Sequence, residues 1–313
     1  MNDVKTEQRF PGPGVWLTVL LAAGGLAVWL LSAETGAIKA ALNQQAQERL
    51  LQIRTKTETP VVVFLGSSIL KHAVPFDNSF ETAFTQRTGK VVKSVRFIRY
   101  QGSALDYLPV LDMIIQHPPD LLVIDQSLLL TNRPTPAESP LEIFRGKIRS
   151  LAGAEDNFLK FALRANSPED ETEFLTNKRN KRQLKREVKP EELESKADGL
   201  SQGFLSDHPL LSPDLIQRLL DLSAMGTRIR ILVLPRIAQF EKNPILVGLK
   251  TQFTSEFSRA FSDSQAVAIW PSIPVPENRL FRDPGHLNIQ GRRQLLPAII
   301  QLVNQEVYAD SVR

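Results

Sequence analysis

The 313-residue chain contains no cysteine and only four histidines, and these two shortages narrow the chemistry that it can perform. Without cysteine the chain forms no disulfide, builds no thiolate metal site and offers no thiol nucleophile. Any step that needs an imidazole must use one of the four histidines, which are His72, His117, His208 and His286. The absence of cysteine does not decide the redox compartment.

Neither the charge nor the pattern of ligand-type residues points to nucleic acid, a metal or a cofactor. The net charge of +4 is small for a chain of this length, so we expect no nucleic-acid partner. The sequence shows no cysteine and no His-x-x-x-His pair, so we expect no metal site and no cofactor. With 42% hydrophobic and 23% charged residues, the chain has the composition of an ordinary globular protein.

One long uncharged run follows a short N-terminal tail, residues 1–14. Residues 15–33 (VWLTVLLAAGGLAVWLLSA) would form a helix about 28 Å long, close to the ~30 Å hydrocarbon thickness of a bilayer. Trp16 and Trp29 lie near its ends, where interfacial aromatic residues are favoured. We therefore predict a single-pass transmembrane helix over 15–33. A cleaved signal peptide is the alternative, with a small-residue site near residues 31–33.

Residues 34–58 are rich in Ala, Leu, Gln and Glu, which predicts a helical stalk that Pro60 ends. The basic residues flanking the apolar run show no clear bias, so charge alone does not give the membrane topology.

From residue 59 onward, strand-like and helix-like segments alternate, which predicts an α/β domain over 59–313 with a mainly parallel sheet. The predicted strands are residues 61–66, 95–100, 120–127, 230–235 and 266–270, and the predicted helices are residues 105–116, 213–224, 249–261 and 288–303.

A charged insertion at about 134–208 interrupts this alternation. It contains the basic stretch NKRNKRQLKREVK at residues 177–189. We interpret the insertion as a solvated, partly helical segment. A flap over an active site, or a surface for anionic headgroups or an acidic polymer, is the alternative.

Two short motifs, more than two hundred residues apart, carry the chemistry. Gly66-Ser67-Ser68 follows an apolar strand and precedes a helix-like pattern, so it is either an ordinary turn or the site of a nucleophile. Asp283-Pro284-Gly285-His286 precedes the last helix. Within such a loop Asp283 can accept a hydrogen bond from the His286 ring, which leaves the other ring nitrogen free to take a serine proton. Taken alone, this histidine could equally be a surface residue near a helix cap.

Together the two motifs resemble the SGNH (GDSL-like) hydrolase superfamily, over residues 61 to about 303. The resemblance implies a three-layer, flavodoxin-like parallel sheet with helices on both faces, and a triad of Ser68, His286 and Asp283. It implies an oxyanion hole built from the amides of Ser68 and Gly102. The family's Gly-x-Asn block is missing here, and the side chain of Gln126 is the candidate to donate the equivalent amide hydrogen to the oxyanion.

Four further residues are candidates for lining this site: Ser67, His72, Asn132 and Arg236. Ser67 is expected to shape the turn. His72 stands one helical turn after Ser68, and a surface position is the favoured interpretation, with lining of the site as the alternative.

The combination of an apolar N-terminal run, a stalk and the Gly-Ser-Ser motif resembles a membrane-anchored subgroup of that superfamily. This subgroup includes the teichoic-acid D-alanylation protein and polysaccharide O-acetylation proteins. The resemblance implies a domain tethered outside the cytoplasmic membrane, in the periplasm. It also implies a cell-envelope glycan or glycolipid acceptor and a polytopic membrane O-acyltransferase as partner. The expected reaction is O-acyl transfer through an acyl-Ser68 intermediate. The alternatives are an esterase or lipase that hydrolyses an envelope ester, and a non-catalytic scaffold of an envelope assembly.

Overall fold

A computed structural model describes residues 15–25, 44, 47–51, 59–99, 103–130, 168–184, 189, 191, 209–274 and 277–308. The chain divides into two compact units, residues 1–41 with 137–159, and residues 42–136 with 160–313.

In the first unit, residues 15–25 are helical, and residues 26–33 of the predicted membrane span lie outside the described part of the chain. Among the helices that the structure describes, none is both long and apolar enough to cross a bilayer. The predicted transmembrane helix therefore has no support from the structure.

A five-stranded parallel sheet organises the second unit, which confirms the predicted α/β fold class. Its strands are β1 (Val61–Gly66), β2 (Lys93–Ile98), β3 (Leu121–Asp125), β4 (Arg228–Leu232) and β5 (Val267–Ile269). They lie in the order β2-β1-β3-β4-β5, and every neighbouring pair is parallel. This is the flavodoxin-like order. From β1 the chain adds β2 on one side, and then it crosses back to add β3, β4 and β5 on the other side of β1. Ligands of such sheets bind at the carboxyl ends of the strands at that switch point.

Helices flank the sheet: α1 (Ser68–Ala73), α2 (Asp77–Thr88), α3 (Leu108–Gln116), α4 (Gln126–Leu129), α5 (Pro168–Thr176), α6 (Pro213–Ala224), α7 (Ala238–Glu241), α8 (Pro244–Phe261) and α9 (Ile289–Tyr308). A 3₁₀ turn at Ala104–Tyr107 precedes α3, and β6 (Phe281–Asp283) pairs antiparallel with β7 (His286–Leu287).

The two central strands explain why the sheet can carry a site at this edge. Residues 62–66 of β1 and all of β3 are buried. Apolar β-branched and aromatic side chains therefore cover both faces of these strands, as expected for a parallel sheet with helices packed on it. Since each strand is held by two neighbours, the residues that directly follow β1 and β3 leave the sheet at fixed positions.

The end of the predicted stalk docks on this unit. Residues 47–51 are helical, and Arg49 forms an ion pair with Asp77 at 2.5 Å. The same guanidinium lies over the rings of Phe76 and Phe97, 5.3 and 5.0 Å from their centroids. A cation held by a carboxylate and two aromatic faces fixes this segment to the edge of the sheet near β2.

Candidate active site

The Gly66-Ser67-Ser68 turn is shaped by close packing between β1 and α1. A Cβ atom on Gly66 would lie 2.2 to 2.7 Å from side-chain atoms of Leu70. Only glycine therefore lets the helix begin directly at the end of the strand. Ser67 caps α1, and its hydroxyl accepts a hydrogen bond from the Ile69 amide at 3.1 Å. Ser68 is the first residue of the helix.

A buried carboxylate at the end of β3 holds this turn in place. Asp125 is 1% exposed, and its Oδ2 accepts hydrogen bonds from the hydroxyls of Ser67 at 2.9 Å and Ser127 at 2.5 Å. The Ser127 amide donates to the other oxygen at 3.0 Å. Because these bonds join the ends of neighbouring strands, they fix the first turn of α1 relative to β3. Sequence reasoning assigned no role to Asp125, although an acid ending an apolar strand is the available signal.

Tyr107 anchors the same turn from the other side. Its buried hydroxyl lies 2.7 Å from the Gly66 carbonyl oxygen and 3.1 Å from that of Phe97. Burial raises the pKa of the Tyr107 hydroxyl, so the group stays protonated and remains a donor. The end of β1 is thereby tied to the end of β2, and this role was also missed from the sequence.

The structure brings Ser68, His286 and Asp283 into one hydrogen-bonded chain. The Ser68 Oγ lies 2.8 Å from His286 Nε2, and His286 Nδ1 lies 2.8 Å from Asp283 Oδ1. Since the carboxylate only accepts, the proton is on Nδ1 and the Nε2 lone pair faces the serine. This is the arrangement in which a serine hydroxyl can lose its proton to imidazole.

The carboxylate of this chain is held in its charged form. Burial alone would raise the pKa of the Asp283 carboxyl, but the hydrogen bond and charge of His286, the Gly285 amide and Arg282 outweigh it. The net result is a pKa well below the ordinary value of 3.8. Its Oδ1 accepts from the amides of Gly285 and His286, each at 3.1 Å. The tight β6–β7 turn is therefore organised around the same oxygen that orients the histidine.

The start of α9 fixes this turn to the rest of the unit. Asn288 is 1% exposed, donates to the Arg279 carbonyl at 2.7 Å and accepts from the Gly291 amide at 2.9 Å. A Cβ on Gly291 would lie 2.1 Å from the Leu280 carbonyl oxygen. The continuation His-Leu-Asn-x-x-Gly thus has a physical reason, because asparagine and glycine let the helix pack against the segment before β6.

His72 is buried beside the triad and does not lie at the surface. It is 3% exposed, and its Nδ1 donates to the Leu287 carbonyl at 2.8 Å. Its ring centroid lies 4.9 Å from those of both His286 and Phe174. Burial, followed by the nearby charges of His286 and Arg282, holds the pKa of His72 well below 6.5. His72 is therefore a neutral ring that packs against His286 and holds the backbone of Leu287, the residue after His286, by a hydrogen bond.

Part of the predicted insertion packs behind this histidine. Phe174 of α5 is 1% exposed, and the Arg292 guanidinium stacks on its ring at 3.5 Å from the centroid. Arg292 also forms an ion pair with the buried Glu171 and donates to the Lys71 carbonyl at 2.6 Å. The described part of the insertion, residues 168–184, is thus a packed element next to the triad and not a wholly solvated segment.

Of the three predicted oxyanion donors, Ser68 and Gln126 lie in the described part of the chain. Among the described residues none accepts a hydrogen bond from the Ser68 amide, so that donor is available to a developing oxyanion. Gly102 and Asn132 lie outside the described residues. Gln126 follows β3 and is 7% exposed, and its side chain has no hydrogen-bond partner in the described part of the chain.

Arg236, predicted as a residue that lines the site, contacts the segment that follows it. Its guanidinium lies 3.7 Å from the Glu241 carboxylate and 5.8 Å from the Phe240 ring centroid. The adjacent Ile237 amide donates to the Pro284 carbonyl at 3.1 Å, so this segment supports the β6–β7 turn through its backbone. His117 ends α3, and His208 lies outside the described residues. The described residues contain no group of three or more metal-ligand side chains.

Comparisons with known proteins give little beyond this geometry. The chain matches no family model, and no curated protein matches it. One solved structure that resembles it comes from Streptococcus pneumonia and is provisionally described as a platelet activating factor. The two are 13% identical, the match covers 90% of this chain and 96% of that chain, and the TM-score is 0.36. A likeness this distant does not show a family, so the SGNH resemblance stays a prediction from the two motifs.

Proposed function

We propose that this protein is a serine acyl-ester enzyme with Ser68 as nucleophile, His286 as general base and acid, and Asp283 as the group that orients the histidine. The observation that carries the proposal is the continuous pair of 2.8 Å contacts from Ser68 Oγ through the His286 ring to Asp283. A non-catalytic scaffold does not need a charged carboxylate, a histidine held in one tautomer and a serine hydroxyl hydrogen-bonded to that histidine.

The geometry supports a two-step reaction. His286 Nε2 takes the Ser68 proton while Oγ bonds to the ester or thioester carbonyl carbon, and the Ser68 amide faces the resulting oxyanion. The imidazolium, stabilised by Asp283, then protonates the leaving group as the carbon–oxygen or carbon–sulfur bond breaks. The product is acyl-Ser68. In the second step His286 takes the proton of an acceptor hydroxyl as the acceptor oxygen bonds to the acyl carbon. The bond from that carbon to Ser68 Oγ then breaks, and His286 gives the proton to Oγ, which restores the free serine.

The acceptor that we propose is a sugar hydroxyl of a cell-envelope polysaccharide or glycolipid, with an acetyl-type group as the cargo. In this proposal an N-terminal anchor holds the domain outside the cytoplasmic membrane, beside a polytopic membrane O-acyltransferase. The support is the motif resemblance together with the uncharged run at residues 15–33. Water is the second candidate acceptor, because the side chains of His286 and Asp283 are 24% and 21% exposed and solvent can reach them.

A fluorophosphonate probe tests the nucleophile on the full-length chain in mild detergent. We expect the wild type to be labelled, with labelling lost in Ser68→Ala and strongly slowed in His286→Ala. Ser67→Ala removes the neighbouring hydroxyl and keeps the proposed nucleophile, so it should still be labelled, at a reduced rate because the helix cap and the bond to Asp125 are lost. Labelling that persists in Ser68→Ala, or a wild type that is never labelled, would contradict the proposal.

Aryl acetate turnover then separates the two acceptors. If transfer dominates, adding an oligosaccharide should accelerate release of the aryl alcohol and yield an acetylated sugar detectable by mass spectrometry. If acetate alone accumulates with every acceptor tried, the protein is an esterase.

A further inference from the structure

The basic stretch of the insertion is partly fixed against the triad hairpin. Asn180 is 5% exposed, its carbonyl accepts from the Ile289 amide at 3.0 Å, and its side chain accepts from Arg282 at 2.5 Å. The Leu184 amide donates to the Phe281 carbonyl at 2.7 Å. Residues 177–184 are therefore held by β6 and the start of α9, and the basic residues that they carry are presented at a defined place.

A groove with a volume of about 450 Å³ lies where this stretch meets α9. It is lined by Leu175, Lys181, Asn288, Ile289, Gln290 and Arg293. These residues are two cations, two apolar side chains, the exposed amide of Gln290 and the amide of Asn288, which is buried and bonded within the protein, and none of them is a carboxylate.

The two cations of the groove have no ion-pair partner in the part of the chain that the structure describes. Both Lys181 and Arg293 are exposed, and neither has an ion pair or side-chain hydrogen bond with any residue that the structure describes. Like charges that share one groove repel each other, and an anionic ligand would remove that repulsion. The groove therefore has the charge of a site for an anion.

The groove begins beside the triad. Asn288 follows His286 by two residues, and at ~3.3–3.6 Å per residue their Cα atoms are at most about 7 Å apart. The groove lining therefore includes a residue close to His286 along the chain. Apolar side chains such as Leu175 and Ile289 suit the C–H faces of a sugar ring, and the Gln290 amide suits a sugar hydroxyl.

We propose that this groove is a subsite for an anionic sugar unit of a polysaccharide, with Lys181 and Arg293 binding its carboxylate. The inference rests on the proposed function, and it narrows the acceptor from glycans in general to acidic glycans. A sugar chain fits the observations better than a membrane surface, because the cations lie in a groove that contains amide and apolar groups.

Binding of fluorescently labelled polygalacturonate, measured by anisotropy on the full-length protein in detergent, tests the proposal. We expect the wild type to bind this polymer and to ignore neutral dextran of similar length. The double variant Lys181→Glu/Arg293→Glu should bind roughly tenfold or more weakly, and the affinity of the wild type should fall as salt is raised.

The matched control makes the same charge change elsewhere. Arg87→Glu/Arg259→Glu reverses two exposed arginines on α2 and α8 and should retain wild-type binding. Equal weakening in both variants would show attraction by overall charge only and would overturn the subsite. So would binding to vesicles with anionic lipid that depends on Lys181 and Arg293 while polygalacturonate is ignored. A thermal midpoint near that of the wild type shows that each variant is folded.

The binding assay needs no turnover, so its result is independent of the proposed function. A wild type that binds the polymer but neither hydrolyses aryl acetate nor reacts with fluorophosphonate would retain the groove and refute the enzyme. An active wild type whose polymer binding is unaffected by the groove substitutions would retain the enzyme and refute the groove.

Discussion

Replacing His72 by phenylalanine tests whether this buried ring positions the triad. A phenyl ring is close in size to imidazole, so the contacts with Phe174 and His286, both at 4.9 Å, can be retained. What is lost is the 2.8 Å hydrogen bond from Nδ1 to the Leu287 carbonyl. The substitution thus removes one donor next to the triad histidine with little change in packing volume.

The expected size of the effect follows from burial. Leu287 is 3% exposed, and leaving a buried carbonyl without its donor costs about 1–3 kcal/mol of stability. For a unit of this size each kcal/mol lowers the thermal midpoint by about 2–4 °C, so the midpoint should fall by roughly 2–12 °C. Because Leu287 directly follows His286, a looser backbone should also lower kcat on aryl acetate by about tenfold, with KM little changed.

The matched variant is His72→Asn, whose side-chain N–H can take the place of Nδ1. It should lose stability through the missing ring but retain more of the wild-type kcat than the phenylalanine variant. The reasoning is refuted if His72→Phe keeps both the kcat and the thermal midpoint of the wild type. It is also refuted if kcat simply follows stability across the two variants, because the ring would then have a structural role only.

Three further outcomes follow from the site. Gly66→Ala should lower the free energy of unfolding by about 1–3 kcal/mol, because the new methyl group overlaps Leu70. By moving α1 it should also lower kcat by about a hundredfold. Chemical denaturation and aryl acetate kinetics measure the two effects, and wild-type values for both would contradict the prediction. Asp283→Asn should lower kcat by roughly 10³–10⁴-fold in a folded protein, because an amide no longer fixes the tautomer and charge of His286. Circular dichroism checks the folding and steady-state kinetics measure kcat. A loss below tenfold would remove Asp283 from the triad. The lowered pKa of His72 means that below its ordinary value of 6.5 the unfolded chain takes up a proton that the folded protein does not. Stability should therefore fall by up to about 1.4 kcal/mol per pH unit as the pH drops from 6.5 toward the folded pKa. Denaturation at pH 7.0 and 5.5 should show this loss in the wild type and a smaller one in His72→Phe, and identical losses in the two proteins would contradict the assignment.

The parallel sheet could be predicted because its strands are buried on both faces. Each reads as a short apolar run without a helical period, and β1 was predicted with the bounds that the structure has. Strands β2 and β4 begin two residues earlier than predicted, because polar residues such as Lys93 and Arg228 also pair in the ladder, and they end two and three residues earlier. Helix α2 was not predicted, because only Phe80 and Phe84 of its twelve residues are buried and its apolar pattern is correspondingly weak.

The three triad residues could be proposed because each belongs to a short local motif. A strand that ends at glycine and serine, and an aspartate three residues before a histidine, are patterns within one turn of chain. What the sequence could not show were contacts that depend on strand order. The bond between Ser67 and Asp125 exists because β1 and β3 are neighbours, and His72 is buried because α5, from a distant region of the chain, covers it.

The distance along the chain between Ser68 and His286 has a consequence for when activity can arise. The two residues are 218 positions apart, and β5, the last strand of the main sheet, ends at Ile269, before the β6–β7 hairpin. At typical elongation rates of ~5–20 residues per second, roughly 10–40 s separate the synthesis of the serine from that of its base. At the end of that interval, once residue 269 has been made, a growing chain carries an unactivated hydroxyl and all five strands of the sheet. If the proposed function holds, reactivity toward esters is therefore acquired in the final stage of folding, and a chain that stops before residue 286 is left without it.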